Sequence, residues 1–416
     1  MSGSSLGASV GVSRAFTPLR VGPLTLRNCF IKSATNEGGA RAGTPSKRLV
    51  QFHEAIAAGG VAMTTVAYCA VAPDGRTFAD QITLNAEAVR HLKVLTGAVH
   101  RHGAAAMAQI THGGCFTFLK PQDTRRPLSA SGGFNKVGIM SGQWLRQRMS
   151  EADLERVAGE FVRGAQLARE AGFDAVEIHM GHGYLLSQFL TPLYNRRRDA
   201  YGGSLEHRTR YPALVLRRVL DAVGKELAVT CKISVTDGVR GGNTAEDGAG
   251  IAQALEREGA HLLVLSAGLN VKSITTMFGS SFPKENRVRP GNPLVAAALF
   301  LQQLTEPKNV PFRELYQLEN SRRVRAATRM PLAYLGGVKS LAAAEAALAE
   351  GFEAVALGRV LIHQADLVNA FASGAVRESG CTSCNRCVAM LYTPGGTSCV
   401  LGPPGDATLN STPAAP

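Results

Sequence analysis

Polar residues that a hydrophobic core would exclude stand just past a series of apolar runs. His179, His182 and Tyr184 follow the run 175–178, and Gln109 closes another, with His112-Gly113-Gly114 beyond it. Ser33, Ala34, Asn36 and Glu37 end or follow the run 30–33, Lys232 and Ser234 end the run 228–233, and Ser266 ends the run 262–266. Two further runs end in Gly336-Gly337 and Gly358-Arg359. Glycine lets backbone N–H groups approach an anion and arginine adds a charged fork, so these two ends suit a phosphate-bearing cofactor. Near the C-terminus stands Cys381-x2-Cys384-x2-Cys387-x11-Cys399. Four thiolates at that spacing suit a tetrahedral Zn²⁺ or a 4Fe–4S cluster. The other cysteines, Cys29, Cys69, Cys115 and Cys231, are scattered and read as buried thiols of a cytoplasmic enzyme.

The elements that must position these groups follow from periodicity. Apolar, β-branched runs at 30–33, 61–66, 104–109, 175–178, 228–233, 262–266, 332–335 and 354–357 alternate with helical stripes. One stripe, over 154–171, places Leu154, Val157, Phe161, Ala165 and Ala168 on one face; another, over 341–350, stops at Gly351. Gly59-Gly60, Gly172, Gly259 and Gly351 punctuate the step from helix to strand. Eight strand–helix units predict an α/β fold, a TIM (βα)8 barrel, and the absence of a GxGxxG turn argues against a doubly wound nucleotide-binding sheet. A barrel gathers polar groups at the carboxyl ends of its strands, which is where the candidates lie. The expected organisation is a disordered N-terminus over 1–15, a barrel over 16–375, a cysteine-rich appendix over 376–402 and a disordered tail over 403–416.

Composition bounds the class. The chain has 416 residues, 45% of them hydrophobic, with 45 Lys+Arg against 32 Asp+Glu and a net charge of +13. That is ample for a large core, and no apolar run is long enough to span a bilayer. The positive charge is spread rather than gathered in one tail or helix, which argues against nucleic acid. It is denser over 116–149, with Lys120, Arg125, Arg126, Lys136, Arg146 and Arg148, and over 270–292, with Lys272, Lys284, Arg287 and Arg289. Both stretches follow predicted strands on the catalytic face. They are expected to attract an anionic, phosphate-bearing ligand.

The segment FDAVEIHMGHGYLLSQFLTPLYNRRRDAYGGSLEHRTR, beginning at Phe173, carries more specific information. It resembles the signature of the Old Yellow Enzyme family of FMN-dependent NAD(P)H:flavin oxidoreductases, and residues 16 to about 375 follow the family's order. The resemblance implies non-covalent FMN and NAD(P)H as electron donor. It implies that His179 and His182 hydrogen-bond the substrate's carbonyl or nitro oxygen and that Tyr184 protonates the α-carbon. It places Gln109 at the flavin pyrimidine edge, Asn36 near flavin O4, Lys232 near N1, Ser33 and Ala34 beside the cofactor, and Gly336, Gly337, Gly358 and Arg359 at the phosphate. These roles agree with the chemistry. Hydride addition to an electron-poor carbon builds negative charge on the substrate oxygen, which two imidazole N–H groups can stabilise. A tyrosine with its ordinary pKa near 10 is protonated at neutral pH and can donate. The chain departs from the family in Cys29, where an Arg is usual, in His207, where an Asn is usual, and in Asn36, where a hydroxyl or thiol is usual.

The run Cys381-Thr-Ser-Cys384-Asn385-Arg-Cys387 resembles the cluster loop of the 2,4-dienoyl-CoA reductase and trimethylamine dehydrogenase branch, in which a 4Fe–4S cluster relays electrons to FMN. That implies a redox partner for this chain, and it leaves zinc and free thiols as alternatives. The leading expectation is reduction of activated C=C bonds in a small molecule, with no nucleic-acid or membrane partner. An amine or quinone oxidoreductase of the same fold is the second. A dihydrouridine-synthase-type RNA modifier is disfavoured, because strand three leads into His112-Gly113-Gly114-Cys115 rather than a catalytic cysteine loop.

Overall fold

A computed structural model describes residues 13–119, 126–270, 272–282, 310–392 and 396–402. The eight apolar runs form eight parallel strands closed into a barrel. They are β1 (Phe30–Lys32), β2 (Met63–Ala70), β3 (Ala105–Thr111), β4 (Ala175–Met180), β5 (Ala228–Ser234), β6 (Leu262–Ser266), β7 (Leu332–Tyr334) and β8 (Ala354–Leu357). Each pairs with the next in sequence, and β8 returns to β1 with Val355 opposite Phe30. β2 runs further than the periodicity predicts, because an irregularity between Val66 and Cys69 lets it continue pairing as far as Thr111.

The surrounding helices are α1 (Lys47–Ala58), α2 (Ala86–His100), α3 (Glu151–Glu170), α4 (Leu205–Val223), α5 (Ala245–Arg257), α6 (Leu318–Ala327), α7 (Leu341–Ala349) and α8 (Leu367–Ser373). Their starts are written in the sequence. Ser46, Asn85, Ser204 and Ser340 each accept a backbone N–H at an N-cap. Ser150 with Asp153, and Thr244 with Asp247, form full capping boxes. The Ser150 box starts α3 one turn before the predicted Leu154, and the predicted stripe from Leu154 to Ala168 is buried.

Alternation along each strand divides the interior. Val176, Ile178, Val229, Cys231 and Ile233 point outward into the core shared with the helices. Inward-facing Ile31, Met63, Met107, Ala175, Ala228, Leu262 and Val264 fill the lower barrel, where Val21 and Leu26 of the hairpin Leu19–Val21/Leu24–Leu26 plug the end. The next inward positions toward the carboxyl ends are polar, so one strand period carries the interior from sealed to reactive.

Residues 13–15, expected to precede the fold, pack on it. Ala15 is fully buried, and the Ser13 hydroxyl donates to Glu345. The expected disordered stretches 1–12 and 403–416 lie outside the described residues. After α8 the cysteine-rich appendix crosses the carboxyl ends of the strands. Thr397 donates its N–H to the Glu37 carbonyl at 2.7 Å and its hydroxyl to the Asn36 carbonyl at 2.9 Å. Among the described residues no helix is long and apolar enough to cross a membrane.

Gly60 links α1 to β2 at φ 104°, and a Cβ there would overlap Asn369 Oδ1 on α8. Gly60→Ala should therefore lower the unfolding free energy by about 2 kcal/mol or more, read by urea denaturation with an unchanged m-value.

Candidate active site

A cavity of about 350 Å³ opens at the carboxyl ends of the strands. Its wall brings together Ser33, Ala34, Asn36, Gln109, His179, His182, Tyr184, Lys232, Gly337, Gly358 and Arg359, all singled out from the sequence. Gly336 stands behind the wall, where its carbonyl accepts from Tyr334 Oη at 2.8 Å.

At the floor, β3, β4 and β5 deliver Gln109, Glu177 and Lys232 side by side. Glu177 pairs in register with Gln109, and His179 with Lys232. Gln109 Nε2 donates to Glu177 Oε1 at 2.6 Å, and Lys232 Nζ lies 3.4 Å from the same oxygen. Lys232 also donates to Ser33 Oγ at 3.0 Å. With one amide N–H on Glu177, Gln109 has its second N–H and its carbonyl oxygen left for a ligand. All three side chains are buried to within 2% of completely. A charge this deep is tolerated only when paired.

Above the floor stand the two histidines. His179 Nδ1 accepts the Gly181 N–H at 3.3 Å, so the neutral ring carries its proton on Nε2. His182 Nε2 lies 2.7 Å from Ser266 Oγ, and the two imidazole centroids are 5.1 Å apart. Both pKa values are depressed. Burial is the larger cause for each, and Lys232 adds repulsion; His182 falls to about 3, and His179 falls well below 6.5 with His182 contributing. The pair is neutral at physiological pH and presents N–H groups rather than imidazolium. His182 sits at φ 62°, a left-handed conformation that a non-glycine residue holds only when its surroundings insist. Its N–H donates to Ser234 Oγ at 3.1 Å, and its carbonyl accepts from Asn270 at 3.2 Å.

The Tyr184 ring lies 4.6 Å from His179 and 5.3 Å from both Phe116 and Tyr68. Tyr68 was not singled out from the sequence, although its place near the end of a barrel strand was the available signal. Its hydroxyl meets Thr77 Oγ1 at 2.8 Å and accepts from Asn36 Nδ2 at 3.3 Å. Glu177 and the Ser266 contact were likewise invisible, since each depends on a neighbouring strand.

On the β7–β8 side, Gly358 and Gly337 open the wall beside Lys339 and Arg359. A Cβ on Gly358 would meet only Thr35, at 3.8 Å, so its missing side chain leaves room. Arg359 donates to the Phe278 carbonyl at 2.7 Å and to Ser383 O and Asn385 Oδ1 in the appendix. The expected phosphate ligand thus also pins the cysteine loop to the cavity. The donor set fits FMN, with hydrogen-bonding groups for a heterocycle on the floor and cations with open backbone for a phosphate on this side.

The four appendix thiols converge. Cys387 is raised to about 12, first by burial and then by Cys381, Cys399 and Cys384, with Arg359 opposing. Among the described residues, the set of possible ligand atoms all within 4.8 Å of one another is Asp74, His112 and Glu160, not the thiols. His112 Nδ1 accepts the Gly114 N–H at 3.0 Å, so Nε2 carries the proton and is no metal ligand. Of the basic residues expected to draw anions, Lys120, Arg125, Lys284, Arg287 and Arg289 lie outside the described residues.

The depressed histidines set a pH dependence. A histidine held neutral in the fold contributes stability that is complete above its unfolded pKa near 6.5 and is lost as pH falls toward the folded value, because the unfolded chain binds protons that the folded chain refuses. Unfolding free energy should fall from pH 7 to pH 5, and His179→Asn should flatten that fall by roughly 2 kcal/mol, measured by urea titration at each pH.

The model of the NADH:flavin oxidoreductase / NADH oxidase family matches residues 14–289. The 4,4'-dithiodibutanoate disulfide reductase of Rhodococcus erythropolis is 40% identical over 390 residues, which are 93% of this chain and 94% of that protein. The NADH oxidase of Thermoanaerobacter brockii is 31% identical over 89% of this chain, which spans 52% of that longer protein. Two solved structures share the fold. A 2-naphthoyl-CoA reductase complex has a TM-score of 0.78 at 20% identity, covering 96% of this chain and 58% of that one. Morphinone reductase with tetrahydroNAD has a TM-score of 0.68 at 22% identity, covering 89% and 93%. With its barrel, its cavity and these relatives in agreement, the chain belongs to the NADH:flavin oxidoreductase / NADH oxidase family and is a flavin-dependent oxidoreductase.

Proposed function

We propose that the chain uses FMN and NAD(P)H to reduce C=C bonds conjugated to an electron-withdrawing oxygen. The observation that carries this reading is the His179–His182–Tyr184 cluster, two neutral imidazoles and a phenol facing one cavity. When bound, FMN supplies hydride transfer at N5. Gln109, Lys232, Ser33, Ala34 and Asn36 would hold its ring end, and Gly337, Gly358 and Arg359 its phosphate. His179 donates Nε2–H to the substrate oxygen. His182 adds a second donor when the Ser266 hydroxyl donates a hydrogen bond to Nε2, so that the neutral ring carries its proton on Nδ1 for the ligand. These donors stabilise the negative charge that develops on the oxygen, and Tyr184 delivers a proton from Oη to the α-carbon. Phe116 and Phe118, both in the cavity wall, exclude water.

The protein should bind FMN, show a flavin band bleached by NADH or NADPH, and consume 2-cyclohexenone. Ser266→Ala should lower kcat about tenfold and His179→Ala about a hundredfold, with flavin reduction by nucleotide little changed. A protein that fails to take up FMN, or whose bleached flavin is not reoxidised by any activated alkene under anaerobic conditions, rules the reading out.

The cysteine loop supports a second assignment, a 4Fe–4S cluster on Cys381, Cys384, Cys387 and Cys399. No three of these thiols lie mutually within 4.8 Å, whereas zinc at about 2.3 Å from each sulfur would draw all four to within about 4 Å of one another. A cubane spreads its ligands more widely. Ser383 and Val388 of the same loop line the flavin cavity, which suits electron exchange with a redox partner. Anaerobically purified protein should carry about four iron and four sulfide per chain. Metal-free protein with four titratable thiols here removes the cluster.

A further inference from the structure

The excursion between β3 and α3 carries a feature that the reaction at the cavity does not use. It contains a small sheet of Leu128–Ser129, Gly133–Phe134 and Leu145–Arg148. Phe134 of this sheet and Trp144, just before its last strand, stand about half exposed, with ring centroids 6.5 Å apart. Apolar rings left in water on a built sheet are unusual unless something covers them. Beside them is a group of cations drawn from three different loops. Arg146 and Lys272 both lie over the Tyr194 ring, 5.1 Å and 5.3 Å from its centroid. Lys136 and Arg196 are near enough to repel Lys272, whose pKa is lowered by burial and then by these neighbours, with Asp237 the acid that opposes them.

None of the four cations has an ion-pair partner among the described residues, in a chain whose other surface arginines are widely paired. Arg146 reaches the Cys115 thiol and leaves its buried Nε without a partner. Asp237 is itself buried and accepts from Asn243 at 2.7 Å, so it does not neutralise the group. The patch flanks the cavity. Asn270, two residues before Lys272, lines the wall and donates to the His182 carbonyl, and Phe116, next to Cys115, lines it too.

An aromatic pair for a flat heterocycle beside unpaired cations for two phosphates is the recognition chemistry of an adenine nucleotide. We propose that this face binds the adenosine diphosphate portion of the molecule that docks at the flavin cavity, with the base against Trp144 and Phe134 and the diphosphate on Lys136, Arg146, Arg196 and Lys272. Both NAD(P)H and an acyl-CoA carry that portion. The proposal deepens the oxidoreductase reading and rests on it for the choice of ligand.

Trp144 is the only tryptophan in the chain, so its emission reports the site directly. The FMN-loaded protein is titrated separately with ADP-ribose, coenzyme A and nicotinamide mononucleotide. Saturable quenching by ADP-ribose assigns the site to NAD(P)H, and quenching by coenzyme A alone assigns it to a thioester; nicotinamide mononucleotide, which lacks the adenylate, should leave the emission unchanged. Arg146→Gln with Lys272→Gln should weaken binding at least about tenfold, and added salt should weaken it in the unmodified protein. If neither ADP-ribose nor coenzyme A quenches, or if the double variant binds as the parent does, the proposal is overturned. Should the double variant not fold, Trp144→Leu decides. It should raise KM about tenfold for whichever adenylate-bearing ligand quenched and leave KM for reduced nicotinamide mononucleotide unchanged; equal changes, or none, overturn the site. Quenching by ADP-ribose in a protein whose flavin neither nucleotide bleaches would leave this site standing and strike the proposed function instead.

Discussion

A carboxylate buried in the middle of a barrel must be answered by its neighbours, and Glu177 shows how much follows from that. It is 1% exposed and reaches both Gln109 and Lys232 from adjacent strands. Removing one partner of such a pair costs about 3–5 kcal/mol, because the charge left behind has no water to turn to. The arrangement therefore holds the strand registers as firmly as the registers hold it. It also orients the Gln109 amide and keeps Lys232 beside Ser33. The floor of the cavity is preorganised before any ligand arrives.

The same economy appears at the rim. Lys32 is fully buried on the outward side of β1, paired with Glu37 and donating to the Thr65 carbonyl at 3.2 Å. Glu37 opens the loop on which the appendix docks, through Thr397. Arg359 completes the attachment from β8. The cysteine loop is thus fastened to two barrel strands that also shape the cavity, and Ser383, Val388 and Leu391 become part of the wall. Anything that reorganises the loop must be felt where the flavin phosphate is expected.

Much of this was legible in the residues. The eight runs alternate strictly enough that all eight strands could be placed, and the capping serines and helix-ending glycines mark the boundaries between them. The FDAVEIHMGHGY segment located the histidines and the tyrosine. Its downstream part reads as a brace, and the structure shows why. Arg197 is buried and donates to the carbonyls of Ala130 at 3.0 Å and Met149 at 2.9 Å, tying the loop after β4 to the excursion after β3. What escaped was everything that depends on strand neighbours far apart in the chain, such as Tyr68 beside Tyr184, or Ser266 beside His182.

The sequence by itself determined the barrel, because period and punctuation are local properties of a chain. It also determined which polar types stand at the strand ends, and so the family to which the chain belongs. Only the tertiary structure decided which nitrogen of His179 carries its proton, that Gln109 and Lys232 meet on Glu177, and which cations on three separate loops are left unpaired. Those are questions of hydrogen-bond partnership and burial. Neither exists until distant strands and loops have closed around the same few ångströms.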